Sequence, residues 1–478
     1  MEKIAGCRIF WFRQDLRLVD NPAWAACCAS GDRVAPVYIW APEDEGGWAP
    51  GAASRWWLHQ ALADLSIRLE QQGAPLTLLR GRAVEFLPRL TASLRATAIH
   101  ANRRYEPAAR QVERDLAGVL AGVGIDFHLG SAALLVEPWE LQTQTGRPYQ
   151  VFTPFWRSLG QHFRALPEVD APERLIGPTP TPTPTGERLD DLQLEPRPDW
   201  ATGLRQAWDP TEFGAEKALA EFLDEAAFNY SEGRDVPASR GTSRLSPYLH
   251  FGQIGPRQVW RAVTRRLGPE GASPYLRQLA WREFAYHLLY HFPHTAEQPL
   301  RPEFNRFPWR SDAGEFDRWS RGRTGYPWID AGMRELWATG WMHNRVRMAV
   351  ASYLTKNLMI PWQDGAAWFW DTLVDADLAN NTFGWQWTAG CGADAAPFFR
   401  IFNPVSQSRK FDPEGNYIRR WVPELSDLQP PAIYSPWTAS PMELRSAGIR
   451  LGKDYPHPQV DLAATRSAAL ESYHSLPR

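Results

Sequence analysis

The chain is poor in cysteine and lysine, and it has no long apolar run. Four cysteines stand among 478 residues (Cys7, Cys27, Cys28, Cys391), none in a CxxC or Cys/His metal spacing. A disulfide scaffold is excluded, and a reducing cytoplasm is the expected compartment. No apolar stretch reaches the ~18–20 residues that a membrane-spanning helix needs. The lead from Met1 to Arg8 lacks the apolar centre of a signal peptide. A surplus of one charge is also missing: 52 basic and 54 acidic residues leave a net −2. Any nucleic-acid site is therefore a local patch and not a whole-protein field. Of the 52 basic residues five are lysine, so the other 47 are arginine. No GxGxxG follows the first strand-like run, which weakens a dinucleotide dehydrogenase reading.

What the chain has in abundance is tryptophan, 24 of its 478 residues. A Trp-rich core accounts for that, as do a flat ligand, stacked bases or an aromatic electron relay, so position has to decide.

The first third alternates strand and helix signals. Strand-like runs fall at Arg8–Phe12, Val34–Trp40, Leu76–Leu79, Ala98–Ala101 and Ile125–Leu129. Helical stretches separate them, and the one from Ser54 to Gln72 carries Leu58, Leu62, Leu65 and Leu69 on one stripe. Repeated βα units predict a parallel sheet with helices on both faces. The run from Gly177 to Gly186 alternates Pro and Thr and reads as extended linker. Beyond it the pattern is helical. The chain is expected to be α/β and then all-α: an α/β domain over 1–135, a linker over 136–200 and a helical domain over 201–478.

Several segments carry chemistry. Thr242 and Ser243 offer hydroxyls and early backbone N–H groups where a helix begins, a setting that suits phosphate; a plain helix cap with a solvated Arg244 fits the same residues. Gln278, Trp281 and Arg282 lie at i, i+3, i+4 and share a helix face, where an amide, an indole and a guanidinium can grip a heteroaromatic ring. An amphipathic helix with Trp281 in the core is the alternative. Asn344, Arg347 and Met348 repeat that spacing. Asp375 to Asn381 supplies two carboxylates and two amides, without the Gly and closing Glu of a calcium loop.

Taken in order, these segments resemble the photolyase/cryptochrome flavoproteins, over essentially the whole chain. The matching motifs are Trp11-Phe-Arg-Gln-Asp-Leu-Arg-Leu-Val-Asp-Asn-Pro22, Thr242-Ser-Arg-Leu-Ser246, Trp281-Arg-Glu-Phe284, Thr324-Gly-Tyr-Pro327, Trp341-Met-His-Asn-Arg345, Asp375-Ala-Asp377 and Phe399-Arg-Ile-Phe-Asn-Pro404. Within the family the pattern looks nearest the bacterial class I enzymes that repair cyclobutane pyrimidine dimers. Asn344 stands where (6-4) repair enzymes carry His.

The resemblance implies a Rossmann-like antenna domain and a helical domain holding a U-shaped FAD. It implies that Tyr230, Thr242, Ser243, Arg244, Leu245 and Ser246 hold the pyrophosphate, and that Gln278, Arg282 and Asn344 also line the cofactor. Arg347 pairs with Asp375 beside the isoalloxazine, Asp377 meets the ring edge, and Asn381 faces N5. Trp385, Trp362 and Trp309 correspond to an electron relay running to the surface. Trp281 and Trp387 would wall the lesion pocket with Met348, and Arg345 and Arg400 would meet the DNA backbone. Asn102 and Glu106 match a folate-type antenna site, methenyltetrahydrofolate or else a deazaflavin, although a surface helix explains them equally well. The implied activity is light-driven electron transfer from reduced FAD to a dimer in UV-damaged DNA, by a monomer away from membranes. One departure stands out. Gln278 occupies a position where dimer-repair enzymes usually carry Glu, so lowered repair efficiency is expected, or else a cryptochrome-like sensor.

Overall fold

A computed structural model describes residues 6–29, 32–164, 167–178 and 186–476. Its one sheet has five strands: β1 (Cys7–Phe12), β2 (Arg33–Trp40), β3 (Thr77–Arg80), β4 (Ala96–Asn102) and β5 (Asp126–Gly130). They run in the order β3-β2-β1-β4-β5, every neighbouring pair parallel. Strands covered on both faces must be apolar throughout, and Ile9, Phe10, Phe12, Val37 and Ile99 are fully buried.

The covering helices are α1 (Pro22–Cys28), α2 (Ala52–Gln72), α3 (Ala83–Leu94) and α4 (Pro107–Gly122). Asn21 opens α1 by accepting from Trp24 N, with Pro22 at the first helical position, the arrangement in which proline's missing N–H costs nothing. The leucine stripe of α2 is buried along its length. Leu87, Leu90, Leu116 and Leu120 close the core from α3 and α4. The direction of winding reverses between β1 and β4, so a crevice is due at the C-terminal ends of those two strands.

The remaining helices are α5 (Phe152–His162), α6 (Thr202–Ala207), α7 (Glu212–Glu221), α8 (Tyr230–Gly233), α9 (Ser246–Phe251), α10 (Pro256–His291), α11 (Ala313–Ser320), α12 (Pro327–Thr339), α13 (Asn344–Ser352), α14 (Trp362–Thr372), α15 (Leu378–Ala389), α16 (Pro404–Phe411), α17 (Asn416–Trp421), α18 (Pro441–Ser446) and α19 (Leu462–His474). Past Gly130 the described residues add only an isolated bridge between Leu451 and Tyr455. The architecture is thus the expected α/β sheet followed by helices. No helix is long and apolar enough to cross a membrane.

One local detail differs from the sequence reading. The stretch expected to link domains contains α5, whose Phe152, Phe155 and Leu159 are buried; their i, i+3, i+7 spacing is a helical stripe that the Pro- and Thr-rich surroundings obscured. Residues 179–185 of the Pro/Thr run lie outside the described residues. The helix opened by Asn344 ends at Ser352 and widens into a π-turn, Tyr353–Asn357. The long helix α10 is broken at Gly268 (φ 70°), followed by Pro269.

Contacts group the chain into two units, Met1–Asp224 with Arg244–Pro293, and Glu225–Ser243 with His294–Arg478. Within the first, α10 is stitched to the segment after β5. Glu283 accepts from Leu135 N (2.8 Å), and Arg282 donates to Ala133 O (2.7 Å).

Candidate functional site

The second unit brings several predicted residues together. A backbone bond from Val374 N to Gly340 O (2.8 Å) lays the turn before α15 against the turn before α13. Arg347, in the first turns of α13, thereby reaches Asp375: Nη2 lies 2.9 and 3.1 Å from the two carboxylate oxygens, while Nε donates to Met342 O (2.6 Å). The Asp375 side chain is 4% exposed, a burial that a carboxylate tolerates only when paired. Nη1 of Arg347 makes no hydrogen bond to the described residues.

Asp377 caps α15 by accepting from Asn380 N (2.9 Å). Asn381, on the first turn, donates Nδ2 to Ala366 O on α14 (2.9 Å). A carbonyl can only accept, so the amide orientation is fixed: nitrogen towards Ala366, with Oδ1 unengaged among the described residues. Trp385 follows one turn later on the same face.

At the head of α13, burial pulls His343 down to about 4. The neutral ring caps the helix, Nδ1 accepting from Arg345 N (3.2 Å). Asn344 is exposed and leans its amide on Met348 Sδ (3.7 Å). Arg345 is held in a two-pronged pair, Nε and Nη2 at 2.8 and 2.7 Å from Asp235. Burial pushes Asp235 up, but Arg345 outweighs it and holds the carboxyl below the usual range. Nη1 of Arg345 is left over. Tyr230 is buried at the start of α8 and Trp387 is half-buried, whereas Arg400 is exposed.

The segment 242–246 has strained backbone: Arg244 sits at φ 52°, a left-handed conformation that costs ~1–3 kcal/mol for a non-glycine residue. Its guanidinium lies 4.2 Å from the Trp208 ring centroid. The Thr242 and Ser246 hydroxyls make no hydrogen bonds to the described residues.

On α10 the side chains are more occupied than expected. Gln278 donates to Pro274 O (3.2 Å). Trp281 stacks on Phe152 at 3.6 Å and 7°, which takes one face of the indole. Arg282 spends its guanidinium on the carbonyls of Ala133 and Leu249. The sequence reading gave Arg282 to the cofactor; its guanidinium meets these two carbonyls within the protein.

Comparison with known proteins gives these geometries a context. Residues 8–174 match the DNA photolyase family, and residues 275–475 match the FAD binding domain of DNA photolyase. The chain is 45% identical to the deoxyribodipyrimidine photo-lyase of Agrobacterium fabrum, covering 98% of each. It is 38% identical to cryptochrome-1 of Arabidopsis thaliana, over 98% of this chain and 70% of that one. The crystal structure of a bacterial class III photolyase from Agrobacterium tumefaciens superposes with a TM-score of 0.95 at 45% identity, over 100% of this chain and 98% of that one. The chain belongs to the photolyase/cryptochrome family. The motifs pointed towards class I, whereas the similar solved structure is described as class III.

The donor set of the second unit suits a flavin: a buried ion pair with a spare guanidinium edge, and a fixed amide presenting its oxygen. The folate-type antenna fits less well. The crevice at the ends of β1 and β4 is lined by Gln14, Asp15, Asn102, Arg103, Arg104, Tyr105 and Glu106, and most of the charged groups there are paired. Arg104 grips Glu45 with both nitrogens (2.6 and 2.9 Å) and Glu106 at 3.2 Å. Burial alone would lower its pKa, but the two carboxylates raise it well above the usual value. Asn102 donates to Asp15 (2.6 Å) and Asn21 (2.8 Å). Its Oδ1 lacks a partner but faces Gly130, where a methyl group would come within 2.9 Å. Apart from that oxygen, the polar groups of Asn102 and Glu106 are engaged within the protein.

Of the relay positions, Trp362 opens α14 and is buried, and Trp385 packs on the same helix at Gly365, one turn later, where a Cβ would sit 2.2 Å from the indole. A bond from Arg310 N to Met359 O (2.7 Å) sets Trp309 beside the same stretch. The rings touching Trp385 are Phe369 (5.0 Å) and Trp319 (6.2 Å). From Trp319 a file of rings continues through Phe316 and Trp368 to Trp337, which is 68% exposed. The sequence reading missed this second file because 24 tryptophans hide it. It also passed over Asp235, five residues beyond Tyr230, as the partner of Arg345.

Proposed function

We propose that this chain repairs cyclobutane pyrimidine dimers in DNA under blue light. FAD, when bound in reduced form, supplies the electron that splits the dimer. The observation that carries the reading is the Arg347–Asp375 pair beside the oriented Asn381 amide, in a chain of this family. Tyr230 and residues 242–246 would hold the diphosphate; the strained backbone at Arg244 and the unengaged hydroxyls of Thr242 and Ser246 support that role. Asp377 would accept from the ring edge. The spare Arg347 edge would place positive charge where negative charge resides on a reduced ring. Asn381 Oδ1 accepts and so favours a protonated ring nitrogen.

Substrate would meet Asn344 and Met348 on α13, with Trp387 offering a ring face. A dimer pairs and stacks poorly, which lowers the cost of turning it out of the duplex. Arg345 Nη1 and Arg400 would take phosphates. Gln278 can donate through its amide but has no proton to give. A missing transition-state donor costs ~3 kcal/mol, and a substituted one less, so repair proceeds at reduced yield.

A second reading, a cryptochrome-like light sensor, is favoured by Gln278 and by the 38% identity to a plant cryptochrome. The two separate on one assay: reduced protein, blue light and an oligonucleotide with a single thymine dimer. Repair by the wild type, raised in Gln278→Glu, supports the enzyme. Absence of repair in both refutes it, and repair only in Gln278→Glu assigns the present chain to the sensor reading.

A further inference from the structure

We infer that Lys356 is a positioning residue, which acts through the backbone of residues 396–402 to fix the exposed pair Phe399–Arg400 against DNA. The DNA part of this inference rests on the repair reading above.

Among the described residues Lys356 is the one buried lysine, with 0% exposure, whereas Lys217, Lys410 and Lys453 are exposed. Its ammonium meets two groups of one loop, with the buried Cys391 thiol also near. Nζ donates to Arg400 O (3.0 Å) and lies 5.1 Å from the ring centroid of Phe398. Burial lowers it to about 7, the direction expected of an ammonium taken out of water. A methionine would fill the same volume without that cost, so the packing alone does not call for an ammonium.

Lys356 lies in the π-turn after α13, and the last residue of α13 makes a second tie to the same loop. Ser352 Oγ, at the end of α13, accepts from Phe402 N (3.1 Å). The loop between α15 and α16 has neither helix nor strand to organise it, so such ties matter more there. Its inner side is anchored by Phe398, which stacks on Tyr473 at 4.4 Å and 7°. Its outer side shows Phe399, 64% exposed, and the Arg400 side chain. One peptide segment therefore turns its carbonyl inward to Lys356 and its aromatic and cationic side chains outward. An exposed aromatic beside an arginine is equipped to stack on a base and pair with a phosphate.

The test uses the FAD-loaded protein, a duplex carrying one thymine dimer, and Lys356→Met beside wild type. Hydrogen exchange should quicken in residues 396–402 and not in α12. Affinity for the duplex should fall about tenfold, while bound FAD and the repair yield per bound dimer at saturating DNA stay unchanged. Ser352→Ala, which trims a single hydroxyl, should move the same loop by less and serves if Lys356→Met does not fold. Unchanged exchange in the loop overturns the inference. Faster exchange with unchanged DNA affinity overturns it as well, because the loop would then be held for another purpose. A wild type that does not bind the dimer duplex overturns the repair reading and leaves the anchoring to be judged by exchange.

Discussion

Two clusters of buried charge, one at the end of the sheet and one in the helical part, differ in what they leave over. Around Arg104 the carboxylates of Glu45, Glu106 and Glu137 have each found a donor in Arg103, Arg104 or Tyr105. Around Arg347 the pairing is incomplete by design of the geometry: Asp375 takes one nitrogen, Met342 another, and the third has no partner among the described residues. Ala366 takes the Asn381 amide nitrogen and leaves its oxygen. A closed network stabilises and selects nothing, whereas a held but unsatisfied one binds. The strand order alone would have placed a ligand at the first cluster; the hydrogen-bond accounting points to the second.

The contrast can be broken by mutation. Asp375→Ala leaves Arg347 unpaired, which costs about 3 kcal/mol, and bound FAD should fall at least tenfold, read from flavin released on denaturation. Glu106→Gln weakens the grip on Arg104 by ~1–3 kcal/mol; the melting temperature should drop while FAD retention does not change. If both variants lose flavin equally, the contrast fails.

Smaller effects sharpen the helical side. Trp385→Phe should slow photoreduction of oxidised protein by an order of magnitude or more. Trp362→Phe and Trp319→Phe then divide the two files of rings, and the one with the larger loss marks the main route. Asp235→Asn loosens the Arg345 fork and should weaken DNA binding several-fold, read by titration with the dimer duplex.

The smallest effect concerns Glu283, which burial raises from 4.5 to about 7 against the pull of Arg282 and the N–H groups of Leu135 and Val136. A raised carboxyl favours folding most below pH 4.5 and loses that contribution as pH climbs through about 7. Glu283→Gln should therefore flatten the decline of melting temperature by a few degrees across that window. Parallel curves would show that the carboxyl is not neutral in the folded protein.

The fold was largely legible in the sequence. The strands of a covered parallel sheet are apolar on both faces, and the leucine stripe of α2 has the period of a half-buried helix. The helix α5 was not legible, because three apolar residues in a polar stretch look like linker until something packs on them. At the site, spacing put Asn344, Arg347 and Met348 on one helix face, and the family resemblance gave Arg347 and Asp375 as a pair. They did not reveal that Arg282 and Gln278 turn to backbone carbonyls, because those carbonyls, of Ala133, Leu249 and Pro274, have no signature in sequence. Nor did Lys356 stand out, since burial of a lysine is visible only in three dimensions.

The most direct test is the flavin content of the purified chain. The account predicts stoichiometric FAD in the wild type and in Glu106→Gln, and little in Asp375→Ala. An Asp375→Ala protein as yellow as its parent, or a colourless wild type that takes up no added FAD, contradicts it.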